Sequence, residues 1–260
     1  MLKDAGVGLM NQPNIGNSAE SIRGWTWAAD NGCFGSNWDA EKWVAYLERR
    51  TGEPGCLFAV VPDVVGDHMA TVERWHQWWR IVADLGYRPA FVLQNGCTVG
   101  SVPWGECEAV FIGGDDTYKL SDHVRTIVAE ARRRGVWVHM GRVNSYRRLR
   151  IARDMGCDSV DGTYLAYGPD VNTPKLVGWL KSLWTNPSLF EVPPAGTPIA
   201  RVVGANVMPH RLADGGSGLL PAHYSSSALA IDTDEYPPEC DSCGRRLPCR
   251  HCFIGGRDDY

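Results

Sequence analysis

The feature that most constrains the fold of this chain is a repeated alternation between short apolar segments and amphipathic helical patterns. Helices are predicted at about residues 39–50, 67–85, 122–134, 145–155 and 172–183. The apolar segments predicted as strands are Ala5–Met10, Trp25–Asp30, Cys56–Asp63, Pro89–Gln94, Ala109–Gly114, Val136–Met140 and Gly156–Asp161. Near-continuous hydrophobic strands alternating with helices are typical of a parallel sheet. The repeat predicts an α/β fold of the (β/α)8 TIM-type barrel, with one strand of eight missing or unrecognised.

Composition narrows the class of protein. A chain of 260 residues with 44% hydrophobic content can bury a sizeable core. The formal net charge of −4 argues against a chain that is basic throughout, so contact with nucleic acid would need a local basic patch. The chain has no 18-residue apolar run and no signal-peptide pattern at its start, so we expect a cytoplasmic protein without a membrane partner.

Three regions follow from changes in composition along the chain. Residues 1–185 hold the strand and helix patterns and form the predicted barrel. Residues 186–238 are rich in Pro, Gly and Ser and are predicted to be an extended, partly disordered connector. Residues 239–260 form a tail that carries a cysteine cluster.

The cysteine cluster predicts a structural zinc site. Of nine cysteines, five are scattered singly through predicted core segments, which argues against a disulfide framework. The other four have the spacing C-x-x-C-x5-C-x-x-C, in which four thiolates complete a tetrahedron around Zn²⁺; they are Cys240, Cys243, Cys249 and Cys252. His251 is an alternative ligand to one of them.

Polar side chains end four of the predicted strands. They are Asp30, Asp63, Gln94 and Asp161. The carboxyl ends of parallel strands meet at one face, which carries the active site in barrels and open α/β sheets. Two other strands end in glycines that let a ligand approach the backbone closely; these are Gly113, Gly114 and, after Met140, Gly141. We therefore expect a site for a polar, planar heterocycle.

The last strand carries two carboxylates, Asp158 and Asp161, of which only one can face a given pocket. Side chains alternate along a strand, so residues three apart point to opposite faces. Asp161 is the better candidate because it lies at the carboxyl end of the strand. The alternative is that both aspartates only cap turns or pair with nearby arginines.

The order of these motifs resembles the barrel of the queuine and archaeosine tRNA-guanine transglycosylase family. The resemblance rests on D-N-G-C-F at 30–34, P-D at 62–63, Q-N-G at 94–96, I-G-G at 112–114, M-G at 140–141 and D-S-V-D at 158–161. It covers about residues 25–185, and the small phage-encoded branch that places 7-deazaguanines in DNA is the most similar. Where the family has D-S-G-G-F/Y and F-D-C, this chain has D-N-G-C-F and V-D-G, so both acids are kept.

The resemblance implies a function and a role for each motif. Asp161 would be the nucleophile that attacks C1′ of the target nucleoside, and Asp30 the general acid and base. Asp63 and Gln94 would hydrogen-bond the base edge, with backbone groups from Gly113, Gly114 and Gly141. Phe34 and Met140 would sandwich the ring. The implied reaction replaces guanine by a 7-deazaguanine such as preQ0 in DNA, in the host cytoplasm if the protein is phage-encoded.

A basic stretch predicts where a phosphate backbone would lie. Residues 125–153 hold nine arginines and one acid, a local charge of +8. The candidate phosphate contacts are Arg142, Arg147 and Arg148. The alternative is a solvated outer helix surface.

Two rival functions stay open at this point. A transglycosylase acting on tRNA would use the same residues, because none of them distinguishes ribose from deoxyribose. A non-catalytic, zinc-containing nucleic-acid-binding protein on the same barrel is the rival from another class, and the presence of both Asp30 and Asp161 argues against it. The family binds zinc through C-x-C-x-x-C and a distant His, a pattern that this chain lacks. The sequence leaves the oligomeric state open.

Overall fold

A computed structural model of the chain describes residues 2–13, 22–34, 38–185 and 201–202. The four cysteines proposed as zinc ligands and most of the predicted connector lie outside these residues. Among the helices of the described part, none is long and apolar enough to cross a membrane.

The described residues form an α/β structure built on one parallel sheet. Its strands are β1 (Leu9–Asn11), β2 (Trp27–Ala29), β3 (Cys56–Val60), β4 (Pro89–Leu93), β5 (Ala109–Ile112), β6 (Trp137–Met140), β7 (Ser159–Val160) and β8 (Arg201–Val202). Each strand pairs in parallel with the next one in sequence, so the spatial order equals the chain order. The predicted parallel α/β architecture is confirmed.

Helices connect most of these strands. They are α1 (Ala40–Glu48), α2 (His68–Asp84), α3 (Asp116–Lys119), α4 (Asp122–Arg133), α5 (Tyr146–Met155) and α6 (Pro169–Thr185). Short 3₁₀ turns lie at Val99–Ser101 and Tyr164–Tyr167. The helix starts follow from capping residues, because Asp39, Asp67, Ser121 and Ser145 each accept a bond from a backbone N–H in the first turn.

The eighth strand lies beyond residue 185, the predicted end of the barrel. Residues 201–202 pair in parallel with β7, as Ser159 opposite Arg201 and Val160 opposite Val202. This strand falls inside the segment 186–238, which was predicted to be a connector. Two residues of strand give too short a pattern to recognise in a Pro- and Gly-rich stretch.

The sheet is strongly curled. In a flat sheet, side chains on β3 and β6 would be about 14 Å apart, three strand spacings of about 4.8 Å each. Yet the rings of Phe58 on β3 and His139 on β6 have centroids 5.2 Å apart. Facing side chains from the middle strands therefore meet inside the curl, as they do in a TIM-like fold.

Two hydrophobic layers lie on the two faces of the sheet. The inner cluster comes from strands alone and consists of Met10, Ala28, Phe58, Val60, Ala90, Val92, Ala109 and Trp137. The outer cluster joins strand residues such as Phe91 and Val138 to helix residues such as Trp75, Ile127 and Leu149. Because both faces are buried, only the strand ends and their loops are free to build a site.

Candidate active site

A cavity of about 580 Å³ opens at the carboxyl ends of the strands. This volume is in the range of small-molecule sites. Nine of the residues predicted from the sequence line it: Asp30, Phe34, Asp63, Gln94, Gly113, Gly114, Gly141, Arg142 and Asp161. The structure thus brings together residues that are up to 131 positions apart in the chain, from Asp30 to Asp161.

Asp161 follows β7 and is faced by a backbone N–H and by a histidine ring nitrogen. The backbone N–H of Arg142 donates to Oδ1 of Asp161. Nε2 of His139, a side chain with no exposed area, lies 3.7 Å from Oδ2. The side chain of Asp161 keeps 17% of its surface exposed, so the carboxylate is both held in place and open to the cavity.

Asp158 points elsewhere, as strand alternation predicts. Its Oδ2 accepts a hydrogen bond of 2.8 Å from the backbone N–H of Val138, and only 6% of the residue is exposed. It does not line the cavity among the described residues. Asp158 therefore ties β7 to β6, while Asp161 faces the site.

Asp30 follows β2 and shares the cavity with Asp161. Burial, and next the negative charge of Asp161, raise the pKa of Asp30 to about 7. The backbone N–H of Gly32 donates to Oδ1 of Asp30 at 3.2 Å and opposes that rise. A carboxyl group that holds its proton near neutral pH beside a second carboxyl is suited to general acid and base chemistry.

Asp63 and Gln94 form a fixed polar wall. Nε2 of Gln94 donates to Oδ2 of Asp63 at 2.6 Å, and Nδ2 of Asn31 donates to Oδ1 at 2.8 Å. Oε1 of Gln94 accepts from the backbone N–H of Gly66 at 2.9 Å, which fixes the orientation of the amide. Burial raises the pKa of Asp63 in spite of these two donors. The wall offers hydrogen-bonding groups at defined positions to a ligand edge.

Two glycines are required by close packing beside the cavity. A Cβ on Gly113 would lie 2.9 Å from Cγ1 of Val92 and 3.2 Å from Nε2 of Gln94. A Cβ on Gly141 would lie 2.7 Å from the ring of Phe111. Side chains at these positions would displace the polar wall or the inner core, so the backbone itself forms this part of the surface.

The structure corrects the role predicted for Met140. Its side chain is 1% exposed and packs in the outer cluster, away from the cavity. The neighbouring residue, His139, faces inward instead, because side chains alternate along β6. Met140 therefore does not form one face of a ring sandwich in this arrangement.

His139 is a site residue that sequence reasoning missed. Its Nδ1 lies 2.8 Å from Oγ of Ser159, which also accepts a 2.9 Å hydrogen bond from Nε1 of Trp137. Apart from its 3.7 Å approach to Asp161, Nε2 has no hydrogen-bond partner among the described residues. The sequence signal that could have identified His139 is the strand register, which places His139 and Asp161 on the same side of adjacent strands β6 and β7.

Phe34 and Arg142 meet at the mouth of the cavity. The Arg142 guanidinium lies over the Phe34 ring at 5.1 Å, and Nη2 of Arg142 donates to the carbonyl of Gly114. Phe34 is 70% exposed. An exposed aromatic ring that stacks on a cation offers a flat surface for a base and a positive charge for a phosphate.

The arginine stretch is divided between the two ends of the sheet. Helices run back against the strands, so the last turn of α4, with Arg132, Arg133 and Arg134, lies far from the cavity. Arg133 and Arg134 both pair with Glu130 there. Arg147 and Arg150 are exposed in the first half of α5, on the same side as the cavity.

Arg148 is not placed as predicted. It is 5% exposed and donates two hydrogen bonds, of 2.9 and 2.6 Å, to the carboxylate of Asp116. This ion pair joins α5 to α3 and occupies the guanidinium. Arg148 therefore has a positioning role in the fold, while Arg142 and Arg147 stay candidates for phosphate contact.

No cluster of three or more His, Cys, Asp or Glu side chains within the described part of the chain is arranged to hold a metal ion. Neither the comparison with protein-family models nor that with curated proteins finds a match for this chain. Function is therefore argued from the geometry of the cavity and from the motifs of the sequence.

Proposed function

We propose that this chain is a base-exchange transglycosylase that replaces guanine by a 7-deazaguanine derivative in DNA through a covalent bond to Asp161. The observation that carries the proposal is that Asp30 and Asp161 line one cavity and that the charge of Asp161 contributes to the raised pKa of Asp30. One carboxylate as nucleophile and one carboxyl as acid are what an oxocarbenium-like transition state requires. The resemblance of the ordered motifs to the transglycosylase family supports the same assignment.

In the first step of the proposed reaction, an oxygen of Asp161 attacks C1′ of the target nucleoside. The bond from C1′ to N9 of guanine breaks, and the proton held by Asp30 neutralises the departing base. The products are free guanine, a glycosyl ester on Asp161 and the Asp30 carboxylate.

In the second step, the Asp30 carboxylate takes the N9 proton of the incoming deazaguanine. N9 then attacks C1′ and releases the Asp161 carboxylate, so both acids return to their starting states. Two displacements at one carbon retain its configuration. The raised pKa of Asp30 supports this cycle, because a group near neutrality can both give and take a proton.

The polar wall supports a purine-like substrate. Asp63 and Gln94 are fixed by each other and by Asn31 and Gly66, so they can read the edge of a planar base without rearrangement. A target base within a duplex has to be flipped out to reach them. Gly113 gives the ring close access to the backbone.

Incubation with radiolabelled guanine tests the proposal and separates its two nucleic-acid substrates. The parent protein should exchange label into duplex or single-stranded DNA and not into tRNA, and Asp161→Asn should exchange into neither. Label in tRNA alone would favour the tRNA enzyme. Binding of nucleic acid without any exchange would favour the non-catalytic nucleic-acid-binding protein.

We also propose that the curled sheet closes into a (β/α)8 barrel with β8 beside β1. The sequential order of eight parallel strands supports this closure. So does the effect of Asp161, after β7, on the pKa of Asp30, after β2, since five flat strand spacings would separate them by about 24 Å. A crystal structure in which β8 pairs with a different strand would contradict closure.

A structural zinc ion in the tail remains a proposal that rests on cysteine spacing. Four thiolates at Cys240, Cys243, Cys249 and Cys252 would hold Zn²⁺ tetrahedrally and stabilise the tail. Elemental analysis should find about one zinc per chain in the parent protein. The Cys240→Ser/Cys243→Ser double variant should lose it, and an unchanged zinc content would show that this cluster is not the site.

A further inference from the structure

Lys119 is a buried cation next to the candidate active site that the proposed chemistry does not use. It lies at the end of α3 and is 1% exposed. Its Nζ donates a 2.9 Å hydrogen bond to the carbonyl of Gly141 and lies 3.7 Å from Oδ1 of Asp116. Burying an ammonium group costs free energy unless its contacts replace those with water.

The carbonyl that Lys119 binds belongs to the same peptide unit as the N–H that faces the nucleophile. The carbonyl of Gly141 and the N–H of Arg142 point in opposite directions, because a trans peptide is planar. Lys119 holds the carbonyl end, and the N–H end donates to Oδ1 of Asp161. This peptide therefore lies between the lysine and the nucleophile.

The backbone conformation at Arg142 requires stabilising contacts. Arg142 has a φ of +60°. Among the described residues, it is the one non-glycine residue with a positive φ. A side chain with a Cβ populates this region sparsely, so surrounding contacts have to stabilise it. The hydrogen bond from Lys119 is such a contact, and the packing of Gly141 against Phe111 is another.

Lys119 is itself fixed by neighbouring charges. Asp116 faces it and is held in turn by the two hydrogen bonds from Arg148. Burial, and next the positive charge of Arg142, lower the pKa of Lys119 to about 8; Arg148 lowers it further, while Asp116 and Asp161 oppose the fall. The ammonium form thus persists at neutral pH in a position set by three elements.

We propose that Lys119 is a positioning residue that orients the Gly141–Arg142 peptide so that its N–H is directed at the nucleophilic carboxylate of Asp161. The assignment of a catalytic consequence rests on the proposed function. The orientation of the peptide does not, so the two can be tested separately.

The first test measures the peptide itself. The amide proton of Arg142 should resonate far downfield in the parent protein, because it donates to a carboxylate, and should move upfield in Lys119→Met. Lys175→Met, which removes an exposed lysine on α6, is the control for lost charge and should leave it unchanged. An Arg142 amide that is the same in Lys119→Met and in the parent would overturn the proposal.

A titration of the parent protein covers the case in which Lys119→Met does not fold. Deprotonation of Lys119 near pH 8 weakens the donor to Gly141, so the Arg142 amide should shift with a midpoint near that pH. The groups that face Lys119 are Asp116, Arg142, Arg148 and Asp161. Asp30, beside Asp161, also titrates near pH 7, so the titration is repeated in Asp30→Asn, where the midpoint near pH 8 should persist. An amide signal that stays constant through this pH range would overturn the proposal.

The second test measures catalysis. The rate of adduct formation in Lys119→Met should fall by up to about 100-fold, as for a displaced catalytic group, while affinity for DNA stays within about twofold of the parent. An unchanged rate would overturn the catalytic consequence. A parent protein that forms no adduct but shows the Lys119-dependent amide shift would end the proposed function and leave the positioning role standing.

Discussion

The two sides of the cavity carry the same kind of side chain in opposite surroundings. On the side formed by β2 to β4, burial raises the pKa of both Asp30 and Asp63. On the side formed by β6 and β7, Asp161 accepts from the Arg142 N–H and faces Nε2 of His139. On the first side burial disfavours the charged form of both carboxyls, and on the second a backbone N–H donates to the carboxyl of Asp161.

This difference teaches how one residue type can take two roles. The state of a carboxyl group is set by burial, charge and donors rather than by its identity. Pairs of acids whose surroundings push their protonation apart are the usual acid and nucleophile of a site. We therefore expect substitutions on the two sides of the cavity to fail in different ways.

The largest expected effect is on the β7 side. Asp161→Asn keeps the shape and the bond from Arg142 but removes the charge of the proposed nucleophile. Base exchange should fall by about 10⁴-fold or more, the range seen when a nucleophile is removed, while DNA affinity stays nearly unchanged. Exchange assays with labelled guanine measure the rate, and a filter-binding assay measures DNA affinity. If Asp161→Asn still exchanged base, the carboxylate after β7 would have no role distinct from that of Asp30 on the β2 side.

Asp30→Asn should cause a smaller loss on the β2 side. The proposed nucleophile, Asp161, is intact and only the proposed proton transfer fails, so exchange should fall by roughly 10²–10⁴-fold. In the parent protein the rate of adduct formation should decline as the pH rises through about 7, because the acid form of Asp30 is lost there. A pH profile that is flat through this range in the parent would contradict the role of Asp30 as the acid.

The same substitution should stabilise the fold at alkaline pH. The folded chain keeps the Asp30 proton up to about pH 7, whereas the unfolded chain loses it near the ordinary value of 3.8. The folded state thus binds more protons between these values, and stability falls as the pH rises through that window. Asp30→Asn removes the ionisable group and so avoids this loss of stability. The loss is at most about 4 kcal/mol, and solvent screening of the partly exposed Asp30 side chain reduces it to about 1–3 kcal/mol.

Urea unfolding of the parent and Asp30→Asn near pH 5 and pH 8 measures this effect. The gain of the variant in the free energy of unfolding should be larger at the higher pH. Asp84→Asn, at the exposed end of α2, is the matched control and should show little gain at either pH. If Asp30→Asn gained the same free energy of unfolding at both pH values, burial would not be raising the pKa of Asp30. The contrast between the two sides of the cavity would then lose its basis.

The smallest expected effect concerns the two ends of the sheet. Arg142→Ala removes the guanidinium at the cavity mouth and should weaken DNA binding severalfold, with the salt dependence reduced by about one phosphate contact. Arg133→Ala, at the far end beside Glu130, should change neither quantity. Equal losses in the two variants would mean that the whole arginine stretch contacts nucleic acid.

The strands and helices of this chain were largely readable from the sequence because their signals are local. Predicted helices at 67–85 and 145–155 agree closely with His68–Asp84 and Tyr146–Met155, since capping residues and glycines mark their ends. The strand ends that carry Asp30, Asp63, Gln94 and Asp161 were visible for the same reason. A two-residue strand such as β8 has no such signal.

The parts of the site that depend on partners across the sheet were not readable. His139 and Met140 are adjacent, and only the register of β6 against β7 decides which of them faces Asp161. Arg148 has the same sequence surroundings as Arg147, yet Asp116, 32 residues away, binds it. Lys119 acquires its contact with Gly141 only when α3 is placed against the loop after β6.

The most direct measurement of the central claim is a denaturation-resistant adduct between the protein and a DNA strand, mapped by mass spectrometry to the modified peptide. The parent protein should form the adduct on Asp161, and Asp161→Asn should form none. Asp158→Asn, on the same strand but bonded to the backbone of Val138, should form it as the parent does. An adduct that persists in Asp161→Asn and disappears in Asp158→Asn would contradict the account.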